Sequence, residues 1–406
     1  MFHSPSTAKH ILRLQCDPIP MVRIGLIGLG KRGMKALERY AYIDGAEIHA
    51  IADLWEENTT EAYEKLLVDK RKEPIVYTGQ NAWKTLCEQT DLDLIYICTD
   101  WDSHTLIATY AMSMGKHVAI EVPAATNVDE CFQLVHTAEK TRRHCFMLEN
   151  CCYDPFALTT IQMEREGILG DITYCEGAYI HDLRKLFEAE KAIGKHQTIW
   201  MEQRCATHWG NPYPTHGLGP IGLLLNIHRG DRLDYLVSLT ANGTDSAQGI
   251  GKVNTTLIRT TKGRSIFIQH DVTTPRPYSR MQTVCGTRGF AQKYPVEYIQ
   301  FDTDEEAVDS EEVSRRINQY THRITATWGA ECRRKKYFNE MNFIMDSRLI
   351  YCLRKGLPLD IDVYDAAEWS CIAELSEKSA LNHSQPMEIP DFTHGNWQLL
   401  NEHTFA

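Results

Sequence analysis

The stretch V-R-I-G-L-I-G-L-G-K-R-G, residues 22–33, decides the fold of this 406-residue chain. Its first six residues are a short, mostly apolar run typical of a buried strand. Three glycines follow in the spacing G-x-G-x-x-G, and residues 34–42 have the pattern of a helix, with Gly45 as a stop. Residues 47–52 form a second strand pattern that ends at Asp53. This order of elements predicts a pocket for a dinucleotide.

The glycine loop has the chemistry that a pyrophosphate needs. Glycines let the backbone approach the ligand closely, and the helix N-terminus supplies N–H groups and the positive end of a dipole. Asp53 lies 20 residues beyond Gly33, where an acid usually binds ribose hydroxyls. Since a carboxylate repels a 2′-phosphate, we expect NAD rather than NADP; the alternative is a tight turn in another doubly wound domain. The predicted cofactor-binding residues of this segment are Gly28, Leu29, Gly30, Lys31, Arg32, Gly33 and Asp53.

Strand and helix signals alternate from residue 22 to residue 149. This alternation predicts a parallel sheet with helices on both faces, and dinucleotides lie across the carboxyl ends of such strands. One strand pattern ends at Thr99 and is followed by His104, and another, residues 117–120, is followed by Glu121. We therefore expect Thr99, His104 and Glu121 to face the cofactor.

The pattern changes after residue 150. Strand signals then dominate, at residues 172–179, 235–241, 253–260 and 264–270. Residues 302–316 read as an exposed acidic loop, and residues 335–355 and 363–381 as amphipathic helices. The predicted fold is α/β: an N-terminal Rossmann dinucleotide-binding domain and a C-terminal α+β domain with a largely antiparallel open sheet. The predicted boundaries are residues 1–21 for an extension, 22–149 for the first domain and 150–406 for the second.

Composition excludes several classes of protein. A net charge of −11 and a pI near 5.9 argue against a nucleic-acid surface. No apolar run approaches 18 residues, and residues 1–20 do not form a convincing signal peptide, so we expect a cytoplasmic protein that does not enter a membrane. Thirteen scattered cysteines suit free thiols. Cys151 and Cys152 are adjacent, but no second Cys/His pair stands at zinc spacing, so we expect core thiols and no metal site.

Several segments resemble a known superfamily. E-V-P at residues 121–123, after G-K-H-V at 115–118, resembles the E-K-P element of the Gfo/Idh/MocA oxidoreductases. Four segments resemble more closely the NAD-dependent α-N-acetylgalactosaminidases of glycoside hydrolase family 109. They are A-I-E-V-P-A-A (119–125), M-L-E-N-C-C-Y-D (147–154), E-G-A-Y-I-H-D-L-R (176–184) and Y-P-T-H-G-L-G-P (213–220). Val122 stands where sugar dehydrogenases of the superfamily carry lysine, which favours the glycosidase.

The resemblance implies an unusual route for glycoside hydrolysis. Most glycosidases use two carboxylates, and NAD-dependent families are an exception. In the implied route NAD takes a hydride from C3 of the sugar, and the resulting ketone acidifies the C2 proton. A base removes that proton, the group at C1 is eliminated, water adds, and the hydride returns to C3. NAD is therefore expected to be held tightly and recycled within one turnover.

The resemblance also implies the roles of individual residues. His216 is the principal acid/base, which suits a side chain that titrates near neutral pH. Tyr213 lies three residues earlier and is expected to contact the same sugar hydroxyls. Tyr179 and His181 share one strand face by the period of two. The implied catalytic residues are His216, Tyr213, Tyr179 and Glu149, and the implied substrate residues are His181 and, more loosely, Tyr320.

Structural alternatives exist for these residues. A histidine in a Pro/Gly-rich segment, such as His216, is often a solvated loop residue. Glu149 could cap the next helix, Tyr179 and His181 could pack an interface, and Glu121 could close a turn at a strand end.

Two other functions also remain open. One is an NAD-dependent sugar oxidoreductase with net hydride transfer, and the other is a catalytically silent sugar-sensing regulator. For all of these functions the expected partner is a small sugar or the terminal sugar of a glycan. We expect binding to neither nucleic acid nor a membrane. An exposed sheet face in the second domain would favour a homo-oligomer.

Overall fold

The computed structural model describes residues 9–69, 72–193, 199–241 and 252–405, which form two compact units. The first unit contains the described residues up to Leu148, together with Cys332–Ala367 and residues 404–405. The second unit contains Glu149–Glu331 and Glu368–His403. The predicted division at residue 149 was contiguous, whereas the structure groups Cys332–Ala367 with the N-terminal residues.

The first unit is built on a parallel sheet, which confirms the predicted Rossmann domain. Its six described strands run in the order β3-β2-β1-β4-β5-β6. The order reverses beside β1, and doubly wound sheets bind their ligands at the carboxyl ends of the strands at such a point. The elements are β1 (Val22–Ile27), α1 (Lys31–Arg39), β2 (Ala46–Asp53), α2 (Glu56–Val68), β3 (Ile75–Thr78), α3 (Ala82–Cys87), β4 (Leu94–Ile97), α4 (Trp101–Ser113), β5 (His117–Ile120), α5 (Val128–Thr141) and β6 (Cys145–Met147).

Helix α1 begins three residues earlier than the sequence pattern predicts. It starts at Lys31, directly after Gly30, rather than at residue 34, and it ends at Arg39 rather than at residue 42. The apolar periodicity starts only at Met34, because the first turn carries two basic residues. The helix N-terminus therefore lies at the glycine loop itself, where it can meet an anionic ligand.

The second unit carries a mixed sheet of eight described strands, in the order β13-β12-β11-β7-β10-β9-β8-β14. Its neighbouring strands are antiparallel except for the parallel pair β7 and β10, which confirms the predicted, largely antiparallel sheet. The elements up to residue 319 are α6 (Pro155–Arg165), β7 (Ile172–Ile180), α7 (Arg184–Ile193), α8 (Ile199–Thr207), α9 (Thr215–Leu224), β8 (Leu233–Ala241), β9 (Val253–Thr260), β10 (Ser265–Asp271), β11 (Ser279–Gly286), β12 (Gly289–Gln292), β13 (Tyr298–Phe301) and α10 (Ser310–Gln319). The remaining elements are α11 (Ala330–Arg334), α12 (Glu340–Lys355), α13 (Val363–Leu381) and β14 (Met387–Glu388). None of the helices in the described ranges combines the length and the apolarity that a membrane span requires.

The acidic segment 302–316 was predicted to be a loop, and that prediction is wrong for its second half. The side chain of Asp309 accepts a hydrogen bond from the amide of Glu312 at 2.8 Å and so caps α10. Glu312 then pairs with Arg315 and Arg316, one turn further along the helix. Capping and ion pairs at this spacing stabilise a helix that carries little apolar periodicity.

Helix α12 begins at Glu340, not at residue 335. Its buried Asp346 explains why Cys332–Ala367 belongs to the first unit. Asp346 accepts a hydrogen bond from Arg39 of α1 at 2.6 Å and another from Tyr96 of β4 at 3.2 Å. A buried charge without its partner is strongly destabilising, so Arg39 and Asp346 must belong to one folding unit. Sequence patterns could not predict this, because the two residues are 307 positions apart.

Candidate active site

The loop between β1 and α1 has the shape that a dinucleotide requires. Gly28 has φ +87°, and a Cβ atom there would lie 2.6 Å from the backbone of Cys98. A Cβ at Gly33 would lie 1.9 Å from the carbonyl oxygen of Gly28. Only glycine fits these two positions, and the tight turn that results places the N-terminus of α1 at the loop, where it can meet a pyrophosphate.

Asp53 ends β2 beside this loop, as predicted. One carboxylate oxygen accepts a hydrogen bond from the amide of Leu29 at 2.6 Å. The other accepts bonds from the amide of Trp55 at 2.9 Å and from the Asn58 side chain at 3.0 Å. The carboxylate is therefore held rigidly against the glycine loop, which fits the ribose-binding role proposed for it.

Two further predicted residues meet at the carboxyl end of β5. The guanidinium of Arg32 binds both carboxylate oxygens of Glu121, at 2.8 and 2.9 Å. Arg32 is half exposed while Glu121 is nearly buried, so the pair fixes the position of Glu121 at the strand end. The turn reading and the cofactor reading of Glu121 are both compatible with this geometry.

The side chain of His104 contacts backbone carbonyl groups instead of facing a ligand. Its ring is fully buried, with Nδ1 2.8 Å from the carbonyl oxygen of Pro123 and Nε2 3.2 Å from that of Thr99. Burial, which outweighs these contacts, lowers the pKa of His104. The structure therefore does not support direct contact between His104 and a cofactor, but His104 positions Thr99, whose hydroxyl accepts a bond from Ser103 at 2.7 Å.

In the second unit His216 lies in the first turn of α9, not in the solvated loop that its Pro/Gly-rich surroundings indicate. The helix packs directly on β7 through two glycines. A Cβ on Gly177 of β7 would lie 2.3 Å from the carbonyl oxygen of Gly217, so only glycine permits this approach. The glycines of the motif therefore bring His216 against the strand that carries Tyr179 and His181.

Glu149 and His216 form a buried pair. Nδ1 of His216 lies 2.7 Å from Oε1 of Glu149. The Glu149 side chain is fully buried, and that of His216 is 13% exposed. Glu149 also accepts a bond from the amide of Cys151 at 3.1 Å, so it caps the short 3₁₀ helix Asn150–Tyr153 as well as holding the imidazole.

The pair is charged. Burial by itself would lower the pKa of His216, but the Cys151 sulfur and the Glu149 carboxylate outweigh it and raise that pKa to about 10. Burial would likewise raise the pKa of Glu149, but the charge and hydrogen bond of His216 lower it below its usual range. A carboxylate that orients and balances an imidazolium is the arrangement used in acid/base catalysis.

Aromatic side chains surround this pair. The ring of Tyr179 lies 5.4 Å from that of His216 and 4.8 Å from that of Tyr213, and Tyr213 lies 4.8 Å from His216. The hydroxyl of Tyr179 is 3.2 Å from Nδ1 of His181. The structure thus brings together five of the six residues that the resemblance implied for catalysis and substrate, namely Glu149, Tyr179, His181, Tyr213 and His216.

Tyr320 is placed elsewhere. It follows α10, and its ring packs edge-to-face on Phe301 of β13, an end strand of the sheet. Strands β12 and β11 lie between β13 and β7 in the sheet. The structure therefore does not support a role for Tyr320 beside His216.

Sequence reasoning missed two groups beside the His216 pair. Cys151, taken as a core thiol, has its sulfur within 4.8 Å of ligand atoms of Glu149 and His216. Asp154 binds Arg280 at 2.5 Å and Lys293 at 2.6 Å, and all three are buried or nearly so. Only the i, i+2 spacing of Glu149 and Cys151 was visible in the sequence, whereas Arg280 of β11 and Lys293, which follows β12, are more than 120 residues away from Asp154.

Comparisons with known families agree with both units. A model of the oxidoreductase family, NAD-binding Rossmann fold, matches residues 22–149, and one of the glycosyl hydrolase 109 C-terminal domain matches residues 153–251 and 244–399. The first match confirms the predicted fold and the predicted NAD cofactor. The two matches together cover most of the chain.

Individual relatives agree with these models. An alpha-N-acetylgalactosaminidase of Bacteroides fragilis is 54% identical over 407 residues, with 96% of each chain covered. Glycosyl hydrolase family 109 protein 2 of Phocaeicola vulgatus is 55% identical, covering 96% of this chain and 98% of the relative. The crystal structure of an NAD binding oxidoreductase from Klebsiella pneumoniae superposes with a TM-score of 0.70 at 16% identity, covering 92% of this chain and all of that one. The last similarity supports the fold alone.

Proposed function

Because this chain belongs to glycosyl hydrolase family 109, we propose that it is an NAD-dependent glycosidase that removes α-linked N-acetylgalactosamine. The observation that carries the proposal is the buried Glu149–His216 pair, 2.7 Å apart and flanked by Tyr179 and Tyr213. A positioned acid/base beside aromatic rings that present hydroxyls suits a sugar ring with its own hydroxyls.

Residues of the first unit would hold NAD. The turn at Gly28 and Gly33 and the N-terminus of α1 suit the pyrophosphate, and Asp53 suits the ribose. The chemistry that bound NAD supplies is reversible hydride transfer at C3 of the sugar, which makes the C2 proton acidic. The two remaining tasks, proton transfer and orientation of the sugar, belong to side chains of the second unit.

His216 would handle the proton of the departing group. Glu149 holds Nδ1, which leaves Nε2 for the substrate. The imidazolium donates its Nε2 proton to the glycosidic oxygen as the C1–O bond breaks, and Glu149 keeps the neutral ring in place. The same nitrogen then accepts a proton from the water that adds at C1, which restores the starting charge.

Tyr179 would accept the C3 hydroxyl proton as the hydride leaves and later the C2 proton, each time passing its own proton to His181, which exchanges it with solvent. The return steps run in reverse. The Tyr179 hydroxyl contacts Nδ1 of His181 at 3.2 Å, so a proton that leaves or enters the phenol has a nitrogen partner. Tyr213 packs against both Tyr179 and His216 and would orient a sugar hydroxyl between them. Each of the five residues grouped in the second unit therefore has one role in the proposed reaction.

One assay distinguishes the three functions that the sequence left open. The protein is incubated with p-nitrophenyl α-N-acetylgalactosaminide in deuterated water. We expect release of nitrophenol, deuterium at C2 of the released sugar, and no accumulation of NADH. Steady NADH formation from a free sugar would instead identify a dehydrogenase, and binding of sugar and NAD without either reaction would identify a regulator.

The His216→Ala variant should lose about 10²- to 10⁴-fold in turnover rate, the usual size of a lost general acid/base. Bound NAD should be unchanged, because the cofactor residues are in the first unit. The exposed His136→Ala in α5 is the matched control. Turnover in His216→Ala equal to that of the control would overturn the proposed role.

A further inference from the structure

Three chemically different ligand groups converge at the His216 pair. Single atoms of Glu149, Cys151 and His216 lie within 4.8 Å of one another. Glu149 and Cys151 are buried, whereas the His216 side chain is 13% exposed and leaves one side of the group accessible. The cluster is part of the site described above, where the sulfur of Cys151 raises the pKa of His216 but takes no part in the proton transfers.

The geometry of these groups is set by two separate elements. Glu149 and Cys151 stand two residues apart at the start of the 3₁₀ helix, where the Cys151 amide donates to the Glu149 carboxylate at 3.1 Å. His216 comes from the first turn of α9. The neighbouring Cys152 instead lies against Gly219 of α9 and is not part of the cluster.

A thiolate, an imidazole and a carboxylate are the ligand set that zinc and chemically similar cations prefer. With bonds of about 2.0–2.3 Å, tetrahedral geometry places ligand atoms roughly 3.3–3.8 Å apart. The Glu149–His216 pair is now 2.7 Å apart because a proton lies between the two atoms. If a metal ion replaces that proton, Nδ1 of His216 and Oε1 of Glu149 must move apart by less than about 1 Å. Rotation of the two side chains provides this movement.

We propose that Glu149, Cys151 and His216 form a binding site for a thiophilic divalent cation of the zinc class. The cation forms one bond to each side chain and leaves a fourth position for water. Two protons leave as it binds, one from the Cys151 sulfur and one from the His216–Glu149 pair. The positive charge of Arg280, which also lies near Cys151, is balanced by Asp154 at 2.5 Å.

The consequence rests on the proposed function. A cation on Nδ1 of His216 replaces the contact by which Glu149 orients the ring and balances its charge, so zinc is a reversible inhibitor and not a cofactor. This departs from the sequence-based expectation that the chain has no metal site.

The test uses Co²⁺, which reports a sulfur ligand by an intense near-ultraviolet charge-transfer band. Co²⁺ is added to chelator-treated full-length protein and to the variants Cys151→Ala, Cys151→Ser and Cys152→Ala. We expect the band in the wild type and in Cys152→Ala, its loss in both Cys151 variants, and its disappearance when Zn²⁺ displaces Co²⁺. Circular dichroism and a Tm close to that of the wild type show that the variants are folded.

Two outcomes would overturn the site: no band in the wild type, or a band of equal strength in the Cys151 variants. A second readout is the inhibition of nitrophenol release by Zn²⁺, which should need at least about 10-fold more metal in the Cys151 variants, the value of one lost ligand. Because the cobalt band needs no turnover, an inactive protein with the band would overturn the proposed function and leave the metal site standing.

Discussion

The carboxylate of Glu149 has two tasks at the scale of a single residue. It caps the turn that begins at Asn150, and it holds the imidazole of His216. The structure therefore shows the capping role that the sequence left open, while the catalytic role of Glu149 stays a prediction that its contact with His216 supports. A side chain that both caps a turn and orients the His216 ring cannot be replaced without loss of one of these contacts.

Glu149→Gln keeps the shape of the side chain but removes its charge. We expect turnover to fall by roughly 10- to 10³-fold, since the imidazolium loses its balancing carboxylate. The double variant with His216→Ala should be no slower than His216→Ala alone, because the two residues act as a unit. Steady-state rates measure this, with the exposed Glu166→Gln as control. Additive losses in the double variant would contradict the pairing.

Asp53→Ala should weaken NAD binding. The variant loses the ribose acceptor and also leaves the Leu29 amide without the 2.6 Å bond that holds the glycine loop. Hydrogen bonds to a charged group contribute about 1.5–3 kcal/mol, so we expect a rise in Kd of roughly 10- to 100-fold and weaker exclusion of NADP. Calorimetric titration with both nucleotides measures this. The exposed Asp69→Ala serves as control, and an unchanged Kd in Asp53→Ala would remove Asp53 from the site.

Residue identities were more predictable than residue contacts. The glycine spacing and the acid 20 residues later were sufficient for the nucleotide loop, since both are local in sequence. His104 was expected at the cofactor but holds the backbone of Thr99 and Pro123 instead. The position of Cys151 near His216 depends on how α9 packs on β7, and no short-range pattern encodes that.

At the scale of elements, the contact between α9 and β7 positions the candidate catalytic side chains. Gly177→Ala would place a methyl group 2.3 Å from the carbonyl oxygen of Gly217. We expect a loss of stability of about 3 kcal/mol and a Tm lower by roughly 5–10 °C, with turnover reduced further because His216 is displaced from Tyr179.

Thermal unfolding and initial rates measure both effects. Thr173→Ala, at an exposed position of the same strand, should stay within about 0.5 kcal/mol of the wild type. A Gly177→Ala protein with unchanged Tm and rate would mean that the close approach of α9 to β7 does not position the site.

The first and last residues of a helix or strand could be predicted where its apolar residues recur with the period of that element. Strand β5 and helix α13 have the bounds that the sequence predicts. Helix α10 was missed because it carries only two apolar residues, Val313 and Ile317, among charged side chains that pair with one another. Strands β11 to β13 were not predicted, and the register of β11 on β7 is interrupted at several positions, which disturbs the period of two.

At the scale of the whole molecule, two buried histidines in the first unit predict sensitivity to acid. Nδ1 of His117 accepts a bond from the amide of His144, and the two rings lie 5.0 Å apart. Burial and the nearby Arg143, only partly offset by Asp93, lower the pKa of His117 to about 4. Burial, His117 and Arg143 lower the pKa of His144 well below its usual range.

An unfolded chain binds protons at these histidines below about pH 6.5, whereas the folded chain binds a proton at His117 only near pH 4 and at His144 only well below pH 6.5. The contribution of these two histidines to stability should therefore be constant above pH 6.5 and fall by about 1.4 kcal/mol per pH unit for each histidine below it. Tm measured from pH 7.5 to 4.5 tests this. His117→Asn, which keeps an acceptor for the His144 amide, should have a shallower slope than the exposed His136→Asn. Equal slopes would assign the acid sensitivity to other groups.

The pair of Arg39 and Asp346 has a consequence for how the protein is made. Its two members lie 307 positions apart yet belong to the same unit, so a nascent chain leaving the ribosome holds an unmatched guanidinium for most of its synthesis. The nucleotide-binding half, although first in the reading direction, cannot finish folding until the segment that ends at Ala367 has emerged. Domains usually fold in order from the N-terminus. Here the two units complete their folding almost together, because both need segments from the last quarter of the chain. An N-terminal fragment released early would be a substrate for chaperones and proteases.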